Sequence, residues 1–280
     1  MTIDEILEKA LEEDIGDGDH TSLATIPPGA TGKSKLLVKE EGIICGVEIA
    51  RKIFQKIDPE IRFDLIQEDG TPVSPGDVAF FVSGSVRSIL AGERLALNFM
   101  QRMSGIATAT SRLVKQVAGT NARILDTRKT TPLLRELEKT AVRTGGGENH
   151  RMGLFDMIMI KDNHVDFAGG IAQAIDAAHN YMKVIQKKPR LKIEIEVRNF
   201  TELQEVMIKG HVDRIMLDNF PVDDLTKAVK LIDGRFETEA SGGITVRNIR
   251  QYAETGVDFI SVGALTHHIT SLDMSLKAVV

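Results

Sequence analysis

Arg128, Lys129, Arg143, His150, Arg151 and Lys161 crowd together in a chain whose formal net charge is −5. A cationic cluster on an acidic background points to a local anion site, not a broad basic face. A dicarboxylate suits it. Each carboxylate must lose water to bind and then needs hydrogen-bonded cationic partners, and the arginine fork matches a planar carboxylate. Gly145, Gly146 and Gly147 lie inside the cluster, where they would let backbone approach such a ligand closely. Arg143 reads equally well as a structural tether. Ser241, Gly242 and Gly243, and later Val262, Gly263 and Ala264, form two glycine turns. Ahead of a helix, such turns can present backbone N–H groups to a phosphate; alone, each is also consistent with a tight strand-to-helix turn. Glu196 and Asp218 are either Mg²⁺ ligands, since Mg²⁺ takes one or two carboxylates plus phosphate oxygens, or salt-bridge partners of nearby cations.

These residues need elements to hold them. From residue 122 six short apolar runs recur, ARILD, DMIMI, LKIEIEV, DRIMLD, RFETEAS and DFISVG. Helical segments such as LLRELEKTAV, IAQAIDAAHNYMKVI, VDDLTKAVKLI and VRNIRQYAET separate them. Alternation of this kind implies parallel strands joined by crossovers, and four of the runs are apolar nearly throughout, as strands buried on both faces are. Every charged or glycine-rich motif falls just after a run, at the carboxyl strand ends where α/β barrels and open sheets place active sites. Six units are too few for an eightfold barrel, so an incomplete parallel α/β barrel is expected over 106–265, with an open doubly wound sheet as the alternative. Residues 1–105 read as a separate α+β domain, on which a tail, 266–280, can pack. It starts with a helix over 3–13, continues as short strands broken by Asp69-Gly70 and Pro75-Gly76, and leads into a long helix from about Ser88 to Val117 with Gly105 as a candidate break. On that helix Arg94, Asn98, Gln101 and Arg102 share a face.

Composition sets limits. Hydrophobic residues make up 42% and charged residues 27%, so a globular chain is expected. The acidic balance argues against broad nucleic-acid or membrane-surface binding. No apolar run reaches about 18 residues, and the acidic first helix is unlike a targeting peptide, so a cytoplasmic location is expected. Cys45, the single cysteine, excludes an internal disulfide and reads as a buried structural thiol. DIGDGDH at 14–20 lacks EF-hand spacing and reads as a capped turn.

The stretches GERLALNFMQRMSGIAT, LDTRKTTP, AVRTGGGENHR, IKDNHV, EIEV, LDNF, SGGI and ETGVDFISVGALTH together resemble the quinolinate phosphoribosyltransferases, also called nicotinate-nucleotide pyrophosphorylases (carboxylating). The resemblance runs from about residue 14 to 268. It implies an N-terminal α/β domain, a C-terminal incomplete α/β barrel, and a homodimer or higher oligomer. Its implied reaction joins quinolinate to phosphoribosyl pyrophosphate (PRPP), releasing CO₂ and pyrophosphate and giving nicotinate mononucleotide for NAD biosynthesis. It assigns quinolinate contacts to Arg128, His150, Arg151 and Lys161, with Arg94 reaching in from the partner subunit. PRPP falls to Lys129, Ser241, Gly242, Gly243, Val262, Gly263 and Ala264. Mg²⁺ falls to Glu196 and Asp218, held directly or through PRPP and water. The implied catalytic set is Lys129, Lys161, Glu196 and Asp218. The chain departs from the family pattern at Leu133, where glycine is expected, and at Thr140, where tyrosine is common; both are expected on the helix after the cationic loop. Three other readings stand beside this one: a related phosphoribosyltransferase with another acceptor, a Schiff-base aldolase using Lys161, and a non-catalytic sensor of PRPP or NAD precursors.

Overall fold

The computed structural model describes residues 1–186 and 189–279. In chain order the elements are α1 (Ile3–Ile15), α2 (His20–Thr25), β1 (Thr31–Val38), β2 (Gly42–Ile43), α3 (Val47–Ile57), β3 (Arg62–Leu65), β4 (Pro72–Val73), β5 (Val78–Ser85) and α4 (Val86–Gln116). Then follow β6 (Arg123–Leu125), α5 (Arg135–Thr144), β7 (Ile158–Ile160), α6 (Asp162–Ala168), α7 (Ile171–Ile185), β8 (Ile193–Val197), α8 (Phe200–Lys209) and β9 (Arg214–Asp218). The chain closes with α9 (Val222–Ile232), β10 (Glu237–Ser241), α10 (Ile249–Ala253), β11 (Phe259–Ser261), α11 (Ala264–His267) and β12 (Met274–Ala278). They divide into two compact units.

The first unit comprises Met1–Ser111, Thr130–Gly146 and Leu265–Val280. Its main sheet has the order β12-β1-β5-β3 and is antiparallel throughout. Phe54, Phe63 and Phe80 stack at one side of it, with Phe63 and Phe80 ring centroids 4.3 Å apart. DIGDGDH is a capped turn: α1 ends at Gly16, and the Asp19 carboxylate accepts the Ser22 N–H to start α2. The long helix α4 runs unbroken through Gly105, contrary to expectation. A Cβ at Gly105 would lie 2.3 Å from the Thr270 carbonyl oxygen, so this glycine serves a close chain approach, not a break. Two of the three consecutive glycines have similar reasons. A Cβ on Gly145 would lie 2.3 Å from the Ala107 carbonyl oxygen, and Gly146 has φ of 89°. Helix packing and a left-handed turn therefore account for them, not approach to a ligand. The four polar residues of α4 also separate. Arg94 and Asn98 are exposed, Gln101 donates to the Met274 carbonyl, and Arg102 pairs with the buried Glu138 at 2.6 Å.

The second unit, Arg112–Lys129 with Gly147–Ala264, is built on one six-stranded sheet of order β6-β11-β10-β9-β8-β7. All five strand pairings are parallel, and β6 and β7 stay unpaired with each other, so the α/β barrel is incomplete as expected. Ile124, Ile193, Ile195, Val197, Ile215, Leu217, Ala240 and Ile260 lie on one face and are buried. The opposite face departs from the apolar expectation. It carries Glu194, Arg214 and Glu239, all buried, with Met216, Phe259 and Ser261 among them. Phe259 sits between two guanidinium groups, 4.0 Å from Arg123 and 3.8 Å from Arg214.

Candidate active site

The carboxyl ends of the six parallel strands gather the sequence-singled residues of the second unit. Arg128 and Lys129 follow β6, and Lys161 follows β7 directly. Glu196 lies near the end of β8, Asp218 ends β9, Ser241 ends β10, and Val262 and Gly263 follow β11. Asp218 and Ser241 are register partners across β9 and β10. Lys161 Nζ lies 2.8 Å from Glu196 Oε2, with the lysine side chain 45% exposed and the glutamate 10%. That is the opposite of the desolvated, unpaired amine a Schiff-base enzyme uses. Arg94 belongs to the first unit, as does Arg143, whose guanidinium donates to Thr140 Oγ1.

The loop between β6 and β7 is fixed by a carboxylate not singled out in the sequence. Asp126 is fully buried; its Oδ1 accepts the His150 N–H at 2.9 Å and its Oδ2 accepts from Asn149 Nδ2 at 2.5 Å. Farther along, Asp156 accepts the N–H groups of Met152 and Gly153. Arg151 is held between these anchors, only 9% exposed. Burial depresses its pKa, the neighbouring Arg128 charge depresses it further, and Glu194 works the other way. Two guanidinium charges thus act on each other here.

His150 points inward. Its Nε2 lies 3.1 Å from Glu194 Oε2 and 3.4 Å from Glu239 Oε2, and its Nδ1 accepts the Arg151 N–H at 2.6 Å. Arg214 Nη1 completes the group, 2.9 Å from Glu239 and 3.8 Å from Glu194. Burial opposes a charge on His150, but the two carboxylates outweigh it and push the pKa up to about 9. The Nδ1 contact opposes this, because an accepting Nδ1 places the ring proton on Nε2; the geometry favours that neutral form. Burial and the Glu239 charge raise the pKa of Glu194. For Glu239 burial acts upward too, yet His150, Arg214 and Ser261 hold it low. Among the described residues His150, Glu194 and Glu239 are a cluster with metal-ligating atoms, but the Arg214 guanidinium already supplies their cation. Taking several such groups out of water costs several kcal/mol per ion before pairing repays it.

The glycine turns differ from the expected helix starts. After Ser241 the next helix, α10, begins only at Ile249 and has 5 residues, and α11 has 4. A helix dipole therefore supplies little. The turn itself is distinctive: Gly242 and Gly243 have φ of 96° and 62° in succession, a backbone that residues with a side chain rarely adopt. Asn219, itself left-handed at φ 56°, braces it. Its N–H donates to the Ser241 carbonyl at 2.8 Å and its Nδ2 to Asp218 Oδ2 at 2.6 Å.

For Mg²⁺ the donor chemistry fits: Glu196 and Asp218 offer hard carboxylate oxygens from adjacent strands, on the same sheet face. Leu133 precedes α5 instead of lying on it, with φ of 69° and two-thirds of its surface exposed. The expected glycine would relieve this strain. Thr140 does lie on α5.

The chain is similar to known proteins over most of its length. Residues 19–104 match the family "Quinolinate phosphoribosyl transferase, N-terminal domain", and residues 106–277 match the corresponding C-terminal domain. The chain is 46% identical to "Quinolinate phosphoribosyltransferase [decarboxylating] 1" of Nicotiana glauca, covering 97% of this chain and 81% of that protein. It is 41% identical to a "Probable nicotinate-nucleotide pyrophosphorylase [carboxylating]" of Synechocystis, covering 100% and 93%. The crystal structure of NadC from Streptococcus pyogenes superposes with a TM-score of 0.93 at 38% identity, covering 99% of this chain and 97% of that one. The chain belongs to the quinolinate phosphoribosyltransferase family.

Proposed function

We propose that this protein transfers the phosphoribosyl group of PRPP to quinolinate with loss of CO₂, yielding nicotinate mononucleotide and pyrophosphate. The observation that carries this reading is convergence on one rim. A cationic loop, an acid pair and a left-handed glycine turn occupy consecutive strand ends of one parallel sheet. Arg128, Arg151 and Lys161 hold the two quinolinate carboxylates, and His150 forms the floor beneath them. Arg94 is contributed by the partner in a homodimer. Lys129 and the turns at Ser241–Gly243 and Val262–Ala264 hold the phosphates of PRPP.

The ring nitrogen of quinolinate attacks C1 of the ribose as pyrophosphate departs. The transition state is oxocarbenium-like, so it needs positioning and charge stabilisation more than a nucleophilic side chain. Lys129 neutralises the leaving pyrophosphate. Glu196 and Asp218 would hold Mg²⁺, which would supply positive charge against the phosphates. Once glycosylated, the ring nitrogen is cationic and stabilises the carbanion left when the adjacent carboxylate leaves as CO₂. No general base is obligatory. Nicotinate, with one carboxylate fewer, would leave one of these cationic groups without its partner and bind poorly.

A cytoplasmic setting is part of this proposal; among the described residues no helix is long and apolar enough to cross a membrane. The test is to mix purified protein with quinolinate, PRPP and Mg²⁺ and to measure nicotinate mononucleotide, CO₂ and pyrophosphate. Absence of quinolinate-dependent CO₂ release would transfer the assignment to a related enzyme with another acceptor.

A further inference from the structure

We propose that Glu194 and Glu239 are positioning residues for the quinolinate site: from inside the barrel they fix the His150 ring and, through its Nδ1, the backbone of Arg151. The inference rests on the reading above for its substrate, but its geometry is independent of it.

An α/β barrel interior is ordinarily filled by layers of branched apolar side chains. Here the layers below the rim contain Glu194 and Glu239, both fully buried, and Arg214 at 7% exposure. A purely structural role is met more cheaply by apolar residues of similar volume, so the charges point to a task. Their contacts identify it. Glu194 and Glu239 together face one atom, His150 Nε2. The other ring nitrogen takes the Arg151 N–H, while Asp126 takes the N–H of His150 itself. Two successive backbone amides and one imidazole are thereby tied to the sheet. The side chain that leaves this anchored backbone is Arg151, which lies beside Arg128.

The surrounding groups support the same reading. Arg214 from β9 pairs with Glu239 and also with Glu237, at 2.9 and 3.2 Å. Ser261 from β11 bonds Glu239. Arg214 thus keeps Glu237 if Glu239 is neutralised, and the glutamates are free to act on His150. Glu194 also counters the effect of the neighbouring Arg128 charge on Arg151, which favours a cationic Arg151 in its buried position. That is pre-organisation of an anion site from below.

The test compares Glu194→Gln and Glu239→Gln with the wild-type enzyme. Quinolinate kcat/KM is expected to fall by about 10- to 100-fold, the scale of a misplacement by about 1 Å. The dissociation constant for PRPP without quinolinate is expected to stay within about twofold, because the glycine turn is braced separately by Asn219. Wild-type quinolinate kinetics in both variants would overturn the proposal, as would an equal loss of PRPP binding. Nitrogen NMR of ¹⁵N-histidine-labelled wild-type protein, with His150 assigned by a His150→Gln variant, gives a readout free of turnover. A proton on Nε2 and none on Nδ1 is expected. A protonated Nδ1 would refute the linkage to Arg151 even if the variants fail to fold. If the wild-type enzyme does not release CO₂ from quinolinate but shows this tautomer, the substrate assignment falls and the positioning network stands.

Discussion

Replacing Gly242 by alanine tests the turn after β10, with Gly243→Ala as its internal control. Both glycines are left-handed, so an alanine at either costs about 1–2 kcal/mol in backbone strain. Only Gly242 is crowded. A Cβ there would lie 2.1 Å from Asn219 Oδ1, 2.6 Å from its Cγ and 2.9 Å from its backbone nitrogen, whereas a Cβ at Gly243 meets nothing within 4 Å. Turning the Asn219 side chain away breaks its bond to Asp218, a loss of about 0.5–1.5 kcal/mol. It does not relieve the backbone contact, which adds about 1–3 kcal/mol as overpacking. The totals are about 2.5–6.5 kcal/mol for Gly242→Ala and about 1–2 kcal/mol for Gly243→Ala. With about 2.1 cal/mol/K of unfolding entropy per residue, these become Tm losses of about 4–11 °C and about 2–3 °C. Differential scanning fluorimetry of the ligand-free proteins measures this. Calorimetric PRPP titration is expected to show weaker binding for Gly242→Ala because Asp218 moves with Asn219. Equal Tm losses in the two variants, or a Gly242→Ala protein that melts like wild type, would refute the reasoning.

Arg151→Ala is expected to raise the quinolinate KM and lower kcat, a loss in kcat/KM of about 10- to 150-fold if one charge-assisted hydrogen-bond set is removed; steady-state kinetics indistinguishable from wild type would remove it from the site. Glu196→Ala is expected to weaken PRPP binding only when Mg²⁺ is present, which titrations with and without the metal will show. Leu133→Gly relieves a left-handed leucine worth about 1–2 kcal/mol and gives back about 0.5–1 kcal/mol in chain entropy, so Tm is expected to rise by up to about 2.5 °C and not to fall. Burial pushes the Cys45 thiol up to about 12. In native protein at pH 8 about one thiol in 10⁴ is then ionised and a thiol reagent is expected to react only on unfolding. Because the folded value lies above the unfolded one, this group's stabilising contribution is intact below about pH 8.5 and is lost as pH rises from there to about 12. Cys45→Ala is expected to flatten that alkaline slope in chemical denaturation.

The rim was legible because parallel α/β folds put functional loops at the carboxyl ends of their strands, and the motifs fall immediately after the apolar runs. Lys161 and Glu196 illustrate how far this goes: two residues from separate runs meet at 2.8 Å. Local signals said less about why particular glycines are there. In sequence Gly105 reads as a helix break and Gly145 as room for a ligand, but each is required by a carbonyl oxygen 2.3 Å from its missing Cβ. No local pattern reports a contact with a distant part of the chain. The turn at Gly242–Gly243 was found for an incomplete reason. A helix is expected to follow it, but α10 starts several residues later and is short, so what distinguishes the turn is its two consecutive left-handed glycines. Asn219 gave no signal beyond a place in LDNF, and its bracing role depends on a positive φ that propensity does not foretell.

The charged interior was present in the sequence but read only as strand. In IEIEV and ETEAS the acids recur every second residue, and that period places Glu194 with Glu196, and Glu239 with Ser241, on one face. An amphipathic strand normally turns its polar face to water. Here helices require the apolar face, and the polar face closes around the barrel interior. The acids are therefore buried by architecture, and His150 and Arg214 are the partners that make the burial tolerable. Glu194 and Glu196, two positions apart on β8, consequently serve different levels of one site. Glu196 meets Lys161 at the rim, and Glu194 meets His150 beneath it. An acidic chain can then carry a cationic rim because part of its negative charge lies directly under the arginines, where solvent screens it least.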